Sequence, residues 1–205
     1  MPFSIVEGMN FLAHLYLSGN NDEIILGNFF ADSVKGKFLD HFPDGVVKGI
    51  RLHREIDSFT DRHPVVRKSK ARLYQKYSKF SGVIVDLYYD HFLSKNWSDF
   101  ASVDLDTFVS GTYKMLLKNY AMLPARSRRI LPYMIAQNWL TGYADFDKLE
   151  KVFEGMSRRS RFYSGMEHAV EDLKISYPLY EEEFRLFFPE IIQHVEQYRN
   201  YLAVD

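Results

Sequence analysis

The chain has 205 residues, of which 46% are hydrophobic and 16% aromatic, and its formal net charge is −1. This length suits one domain with a sizeable aromatic core. The nearly neutral charge argues against bulk binding of nucleic acid, and no apolar run approaches the length of a membrane span.

The chain contains no cysteine. Disulfides and thiolate nucleophiles are therefore excluded, and any metal ligands must be nitrogen and oxygen donors. This composition fits a cytoplasmic protein. Residues 1–8 lack the basic and long apolar regions of a signal peptide, so we expect an N-terminal extension there and a single helical domain over 9–205.

Apolar residues recur at helical spacing nearly throughout, which predicts an all-α fold. Turn signals occur at residues 18–21, 63–64 and 81–82. We expect the last helix to break near Pro178 and again near Pro189, because proline cannot donate a backbone hydrogen bond. The predicted helices span about 9–18, 22–35, 44–61, 64–78, 81–95, 104–121, 126–141, 145–160 and 166–201.

Four of these helices carry polar residues spaced four apart, which places each pair on one side of its helix. Most neighbours are apolar, so the pairs should point inward, where a carboxylate is costly unless it is paired or bound to metal. Inward His and Asp residues from several helices are what a metal site in a helical domain needs. The pairs are Asn10/His14, Asn28/Asp32, His53/Asp57 with Asp61, and Asp86/Asp90.

On the third helix, His53, Asp57 and Asp61 form a stripe outside both the apolar and the charged face. A helix that only needed to be soluble would not need such a stripe. The pattern favours a metal or catalytic role. The alternative is a solvated polar edge with His–Asp hydrogen bonds.

On the fifth helix, Asp86 and Asp90 share a narrow stripe of an almost wholly apolar surface. Two carboxylates one turn apart repel each other unless a cation, either a metal or an arginine, lies nearby. His91 lies about 100° around the helix from Asp90, so the two cannot face one point equally. One of them could instead orient a ligand.

His14 and Asp32 lie in apolar segments, where a core hydrogen bond or a helix cap is the ordinary role of such residues. Their occurrence together with the other pairs favours a shared metal site. The remaining histidines stand in polar or loop contexts and are predicted at the surface. They are His41, His63, His168 and His194.

Two arginine clusters lie in the second half of the chain, one at residues 126–129 and one at 158–161. Both can be solvated helix faces. Arg158 and Arg159 lie near a predicted helix end, where they could also bind a phosphate bidentately or stabilise the helix C-terminus. A Gly-rich phosphate loop, a nucleophile elbow and an HExxH motif are all missing from the sequence.

Several segments together resemble bacterial acyl carrier protein phosphodiesterases, also called acyl carrier protein hydrolases. The resemblance extends over about residues 9–198 and is most specific in the first half. The segments are 9–15 (MNFLAHL), 27–32 (GNFFAD), 49–61 (GIRLHREIDSFTD), 86–93 (DLYYDHFL), Trp97, 155–159 (GMSRR) and 187–189 (FFP).

This resemblance implies an unorthodox branch of the HD phosphohydrolases, which are metal-dependent helical bundles named for an adjacent His-Asp pair. The sequence has no His-Asp dipeptide but the reversed Asp90-His91, so its ligand order must differ from the usual one. The family implies removal of 4'-phosphopantetheine from holo-acyl carrier protein, usually with manganese or magnesium. Close paralogues could act on other phosphodiesters.

The combined interpretation is an HD-like bundle with Mn²⁺ or Mg²⁺ that activates water and neutralises phosphoryl charge. His91 or Asp61 could handle the leaving-group proton. Arg158 and Arg159 could bind the phosphate or the acidic carrier protein. The predicted metal ligands are His14, Asp32, His53, Asp57 and Asp90.

Two other functions remain open at this point. One is an HD-type phosphohydrolase for a nucleotide or another small phosphodiester. The other is a non-catalytic helical binding module, in which the polar pairs are buried hydrogen-bonded structure. We expect neither a nucleic acid nor a membrane as a partner.

Overall fold

The computed structural model describes residues 11–34, 36 and 39–204, with side chains through 202. All regular structure in these residues is helical, which confirms the all-α prediction. None of the described helices is long and apolar enough to cross a membrane. The α-helices are α1 Phe11–Leu17, α2 Asp22–Phe30, α3 Asp44–Arg62, α4 Pro64–Tyr77, α5 Ser81–Lys95, α6 Leu105–Lys118, α7 Ala125–Ala136, α8 Trp139–Gly142, α9 Phe146–Arg159, α10 Ala169–Ile175 and α11 Tyr177–Val204. Single 3₁₀ turns lie at Ala31–Ser33, Ser78–Phe80, Trp97–Asp99, Tyr120–Met122 and Met166–His168.

The predicted helices are confirmed in order, and the differences lie at breaks and ends. The second ends at Phe30 and continues as a 3₁₀ turn, and the seventh is interrupted where Asn138 takes a positive φ of 45°. The last is divided at Ser176, so that Pro178 falls in the first turn of α11. A proline is tolerated there because the first N–H groups of a helix have no partner within it. The predicted extension over 1–8, residues 9–10 of the first helix and Asn10 lie outside the described residues.

The predicted break at Pro189 is wrong, because α11 continues through it. Phe187 and Phe188 precede the proline and Ile191 follows it, and all three are buried. Burying such side chains is worth about 1.5–3 kcal/mol each, which offsets the roughly 3 kcal/mol that an interior proline costs. Tertiary packing on both sides therefore holds the helix together.

Helix α5 is the centre of the fold, and α1, α4 and α11 pack against it. Its side chains are buried along almost its whole length. Helix α2 lies along α3, and two glycines allow the close approach. A Cβ on Gly27 would come 2.0 Å from the Val46 carbonyl oxygen, and one on Gly49 would come 2.2 Å from that of Ile24. This contact brings the polar end of α2 against the middle of α3.

Candidate metal centre

His14 from α1 and His53 and Asp57 from α3 meet at one point. Potential ligand atoms of the three lie within 4.8 Å of one another. Asp57 spans both rings: its Oδ1 is 3.3 Å from His14 Nε2, and its Oδ2 is 3.3 Å from His53 Nε2. Asp32 joins from the turn after α2, with Oδ1 3.2 Å from His53 Nε2. We call these four residues the His/Asp group.

The two imidazole rings are stacked, with centroids 4.2 Å apart. Behind them lies Asn28, whose Oδ1 is 3.0 Å from His14 Nδ1 and 2.9 Å from His53 Nδ1. The Asn28 Nδ2 donates to the His14 carbonyl oxygen and to Ser18 Oγ. In the sequence, Asn28 forms an i, i+4 pair with Asp32, but it is not among the predicted ligands. Its position four residues before Asp32, in an apolar run, was the signal that it faces inward.

The group has a buried side and an open side. His14 and His53 are 4% and 7% exposed, whereas the Asp57 side chain is 49% exposed and that of Asp32 is 35% exposed. Water or a substrate can therefore approach the carboxylates while the rings are held from behind.

The charges of the group stabilise one another. Burial alone would lower the pKa of His53, but hydrogen bonds to Asp32 and Asp57 outweigh it and raise the pKa to about 9. Burial likewise opposes ionisation of Asp57, yet His14 and His53 hold its pKa far below the usual range. The pKa of Asp32 is also lowered, mainly by His53. A cation at this point would replace the His53 proton between the same carboxylates.

The donor set fits a divalent metal. It contains two imidazole nitrogens that face two carboxylates, and such nitrogen and oxygen ligands suit divalent metals. The open side leaves room for water or a phosphoryl oxygen. Within the described residues, His14, His53 and Asp57 thus form a group that could hold a metal ion.

The sequence model of the acyl carrier protein phosphodiesterase family matches residues 9–191, a span that includes the whole His/Asp group. The chain belongs to this family. A protein of Pectobacterium atrosepticum named acyl carrier protein phosphodiesterase is 32% identical over 186 residues, which cover 90% of this chain and 96% of that protein. Relatives of the same name from Photorhabdus laumondii and Salmonella agona are also 32% identical, over 189 and 185 residues, and in each case the match covers 96% of the relative. It covers 92% and 90% of this chain. No solved structure matches the chain.

In this acyl carrier protein phosphodiesterase family member, the predicted ligand Asp90 lies elsewhere. It is fully buried, and its oxygens accept hydrogen bonds from the backbone N–H groups of Leu12 and Ala13 at 3.0 and 2.9 Å. The first N–H groups of a helix lack partners within it, so Asp90 caps α1 from a distance. The described contacts of Asp90 therefore lie at α1, and its role as a metal ligand stays a prediction.

Asp86 of α5 interacts electrostatically with carboxylates of the His/Asp group. Burial raises its pKa to about 7, Lys70 opposes the rise, and the charges of Asp57, Asp61 and Asp32 add to it. Of the Asp86/Asp90 pair, Asp90 contacts α1, and the charge of Asp86 interacts with those of Asp57 and Asp32.

The two predicted proton-transfer residues are not brought to the rings. His91 is fully buried in a second network, where its Nδ1 donates to the Tyr143 carbonyl oxygen and its Nε2 lies 3.1 Å from the Tyr177 hydroxyl. Its role in proton transfer stays a prediction. Asp61 is exposed in the last turn of α3 and forms an ion pair of 2.6 Å with Lys70.

Arg158 and Arg159 lie in the last turn of α9, at a helix end as predicted. Arg158 is exposed at the end of α9 and pairs with Glu154 at 3.3 Å, and burial lowers the pKa of Arg159. Substrate binding by these two residues stays a prediction. Arg126, in the first turn of α7, instead lines a small cavity together with Asp32 of the His/Asp group.

One predicted surface histidine is buried. His63 is 7% exposed and lies 3.2 Å from Glu190 of α11. It ends up inside because α11 covers the junction of α3 and α4, and Phe187 packs against its ring. Local sequence context could not reveal a helix that returns from the other end of the chain.

Proposed function

We propose that this chain is a metal-dependent phosphodiesterase that converts holo-acyl carrier protein to apo-acyl carrier protein. The observation that carries the proposal is the convergence of His14, His53, Asp57 and Asp32 in a chain of the acyl carrier protein phosphodiesterase family. Relatives that bear this name match the chain almost end to end. The further likeness to HD phosphohydrolases stays a prediction from the resemblance.

In this proposal, the four residues of the His/Asp group hold Mn²⁺ or Mg²⁺, since all donors are nitrogen or oxygen. When bound, such a cation lowers the pKa of a water and neutralises charge on phosphoryl oxygens. The half-exposed carboxylate of Asp57 reaches both ring nitrogens and so fixes the centre of the site. Asp32 contacts the same Nε2 atom of His53 as Asp57 does, at 3.2 Å.

The reaction forms a bond between a water oxygen and phosphorus and breaks the bond from phosphorus to the carrier serine oxygen. The serine oxygen takes a proton, and the products are apo-carrier protein and 4'-phosphopantetheine. The sequence predicts Asp61 or His91 as the group that handles this proton.

The test is incubation with holo-acyl carrier protein and Mn²⁺, followed by mass spectrometry of the carrier. We expect loss of the prosthetic group, no reaction with a chelator, and no reaction for His53→Ala or Asp57→Ala at unchanged helical content. Asp106→Asn is the matched control, because this exposed carboxylate lies in the first turn of α6.

Three results would contradict the proposal. Full turnover by both variants in chelator would exclude the His/Asp group as the metal centre. Hydrolysis of nucleotides in preference to the carrier would favour the small-phosphodiester alternative. Absence of metal from the purified protein and of any turnover would favour a binding module.

A further inference from the structure

We infer that Asn28 is the positioning residue of the metal centre. Its side-chain oxygen holds a proton on Nδ1 of both His14 and His53, which leaves both Nε2 atoms for the cation. The inference rests on the proposed function, because it assigns a role within that metal centre. It concerns the orientation of the ligands rather than the chemistry, so metal affinity and ring protonation can test it without an activity assay.

The Asn28 side-chain oxygen lies within hydrogen-bond distance of both rings. It lies 3.0 Å from His14 Nδ1 and 2.9 Å from His53 Nδ1, both ordinary hydrogen-bond distances. An amide oxygen has two lone pairs and can accept both bonds at once. On the opposite side of the rings, both Nε2 atoms face the Asp57 carboxylate.

The partners of the Asn28 side-chain nitrogen fix the direction of the amide. The Asn28 Nδ2 lies 3.0 Å from the His14 carbonyl oxygen, an atom that can only accept a hydrogen bond. Its second hydrogen goes to Ser18 Oγ at 2.8 Å, and Ser18 in turn donates to the same carbonyl. The amide nitrogen must therefore point at the carbonyl, and the oxygen must point at the rings. Each ring Nδ1 is then a donor.

The hydrogen-bond network that holds Asn28 is buried. Asn28 and Ser18 are both fully buried, and the Asn28 Nδ2 donates a hydrogen bond to Ser18 Oγ. A buried polar network in which every member has its partners holds a single arrangement. The close contact of Gly27 with α3 fixes the backbone next to Asn28. Metal-binding histidines are commonly oriented by a partner on their other nitrogen, and here one residue serves two ligands.

A purely structural Asn28 would join α1 to α2 without any effect on ring chemistry. Three substitutions separate the two roles. Asn28→Leu removes both ring contacts. Asn28→Asp keeps an oxygen acceptor for the rings but loses both donors. Ser18→Ala weakens the network and leaves the ring contacts intact.

The first measurement is the Mn²⁺ dissociation constant, from electron paramagnetic resonance of free Mn²⁺ at equal folded fraction. We expect Asn28→Leu to weaken binding by about 10–100-fold, as is typical for loss of an orienting partner. Asn28→Asp should bind nearly as tightly as the wild type, and Ser18→Ala should lose stability with little change in affinity. Wild-type affinity in Asn28→Leu, or equal losses in Asn28→Leu and Ser18→Ala, would overturn the inference.

The second measurement needs no variant. Nitrogen-15 histidine spectra of the wild-type chain loaded with diamagnetic Zn²⁺ should show a protonated Nδ1 and a metal-bound Nε2 for both rings. Coordination through Nδ1 of either ring would overturn the inference while leaving the metal centre in place. Failure of the wild type to bind Mn²⁺ and Zn²⁺ would overturn the metal centre itself, and the positioning role with it.

Discussion

Asp90 is fully buried and accepts hydrogen bonds from two N–H groups at the start of α1. Burial raises its pKa to about 8, although the two N–H groups oppose the rise. An unfolded chain would titrate this carboxyl near its usual value of about 3.9. The folded state therefore binds the proton more tightly. Its contribution to stability is full below about pH 4 and is lost as the pH rises towards about 8.

Asp90→Asn should flatten this dependence, because the amide does not titrate. We expect the free energy of unfolding of the wild type to fall, relative to the variant, by up to about 1.4 kcal/mol per pH unit between about pH 5 and 8. Denaturant titrations in chelator at several pH values measure the difference. The exposed Asp106→Asn is the control and should follow the wild type. Parallel curves for Asp90→Asn and wild type would contradict the prediction.

Among the elements, the contact of α2 with α3 matters most for the site. Gly27 and Gly49 let the two backbones approach so closely that a Cβ on either would overlap a carbonyl group of the other helix. Asn28 follows Gly27 directly, and its oxygen reaches His53 of α3. The spacing of this helix pair therefore sets the geometry of the candidate metal centre.

Gly27→Ala should force α2 away from α3. Overpacking of a buried contact costs about 1–3 kcal/mol, and more where backbone atoms block the new group. We expect a lower melting temperature together with weaker Mn²⁺ binding, measured by thermal melts with and without the metal.

Gly111→Ala is the matched control within α6. A Cβ there meets nothing within 4 Å, so alanine should stabilise the helix by up to about 1 kcal/mol. Its melting temperature should rise with Mn²⁺ as much as that of the wild type. Equal behaviour of the two glycine variants would show that the α2–α3 spacing does not control the site.

At the scale of the whole molecule, α11 ties the C-terminal end of the chain to α3 and α4. Glu183 is 3% exposed and accepts two hydrogen bonds from Arg72 of α4, at 2.9 and 2.8 Å, and one from Ser69 at 2.6 Å. His194 adds a contact of 2.8 Å to Glu55 of α3. These links hold α11 over the N-terminal helices.

Arg72→Met should destabilise the whole fold, because it leaves the buried Glu183 carboxylate without its main partner. Loss of one member of a buried pair costs of the order of 3 kcal/mol. The control is Arg185→Met, which removes exposed ion pairs to Asp99 and Glu181 and should cost less than about 1 kcal/mol. Denaturant unfolding measures both variants, and similar costs would rule out a special role for the buried pair.

The sequence alone determined the all-α class, the order of the helices and which polar residues face inward. The structure brings together four of the five predicted ligands, namely His14, Asp32, His53 and Asp57. The helical class, the order of the helices and the inward side of each helix are local features. The period of a helix places residues four apart on one side, whatever the rest of the chain does.

Only the tertiary structure decided what the remaining inward polar residues do. It placed Asp90 against the N–H groups at the start of α1, His91 beside Tyr143 and Tyr177, and Asn28 against both imidazole rings. It also carried α11 through Pro189. The periodicity predicts that such a residue faces inward. Its partner depends on which helix packs there, and contacts between residues far apart in the chain decide which helix that is.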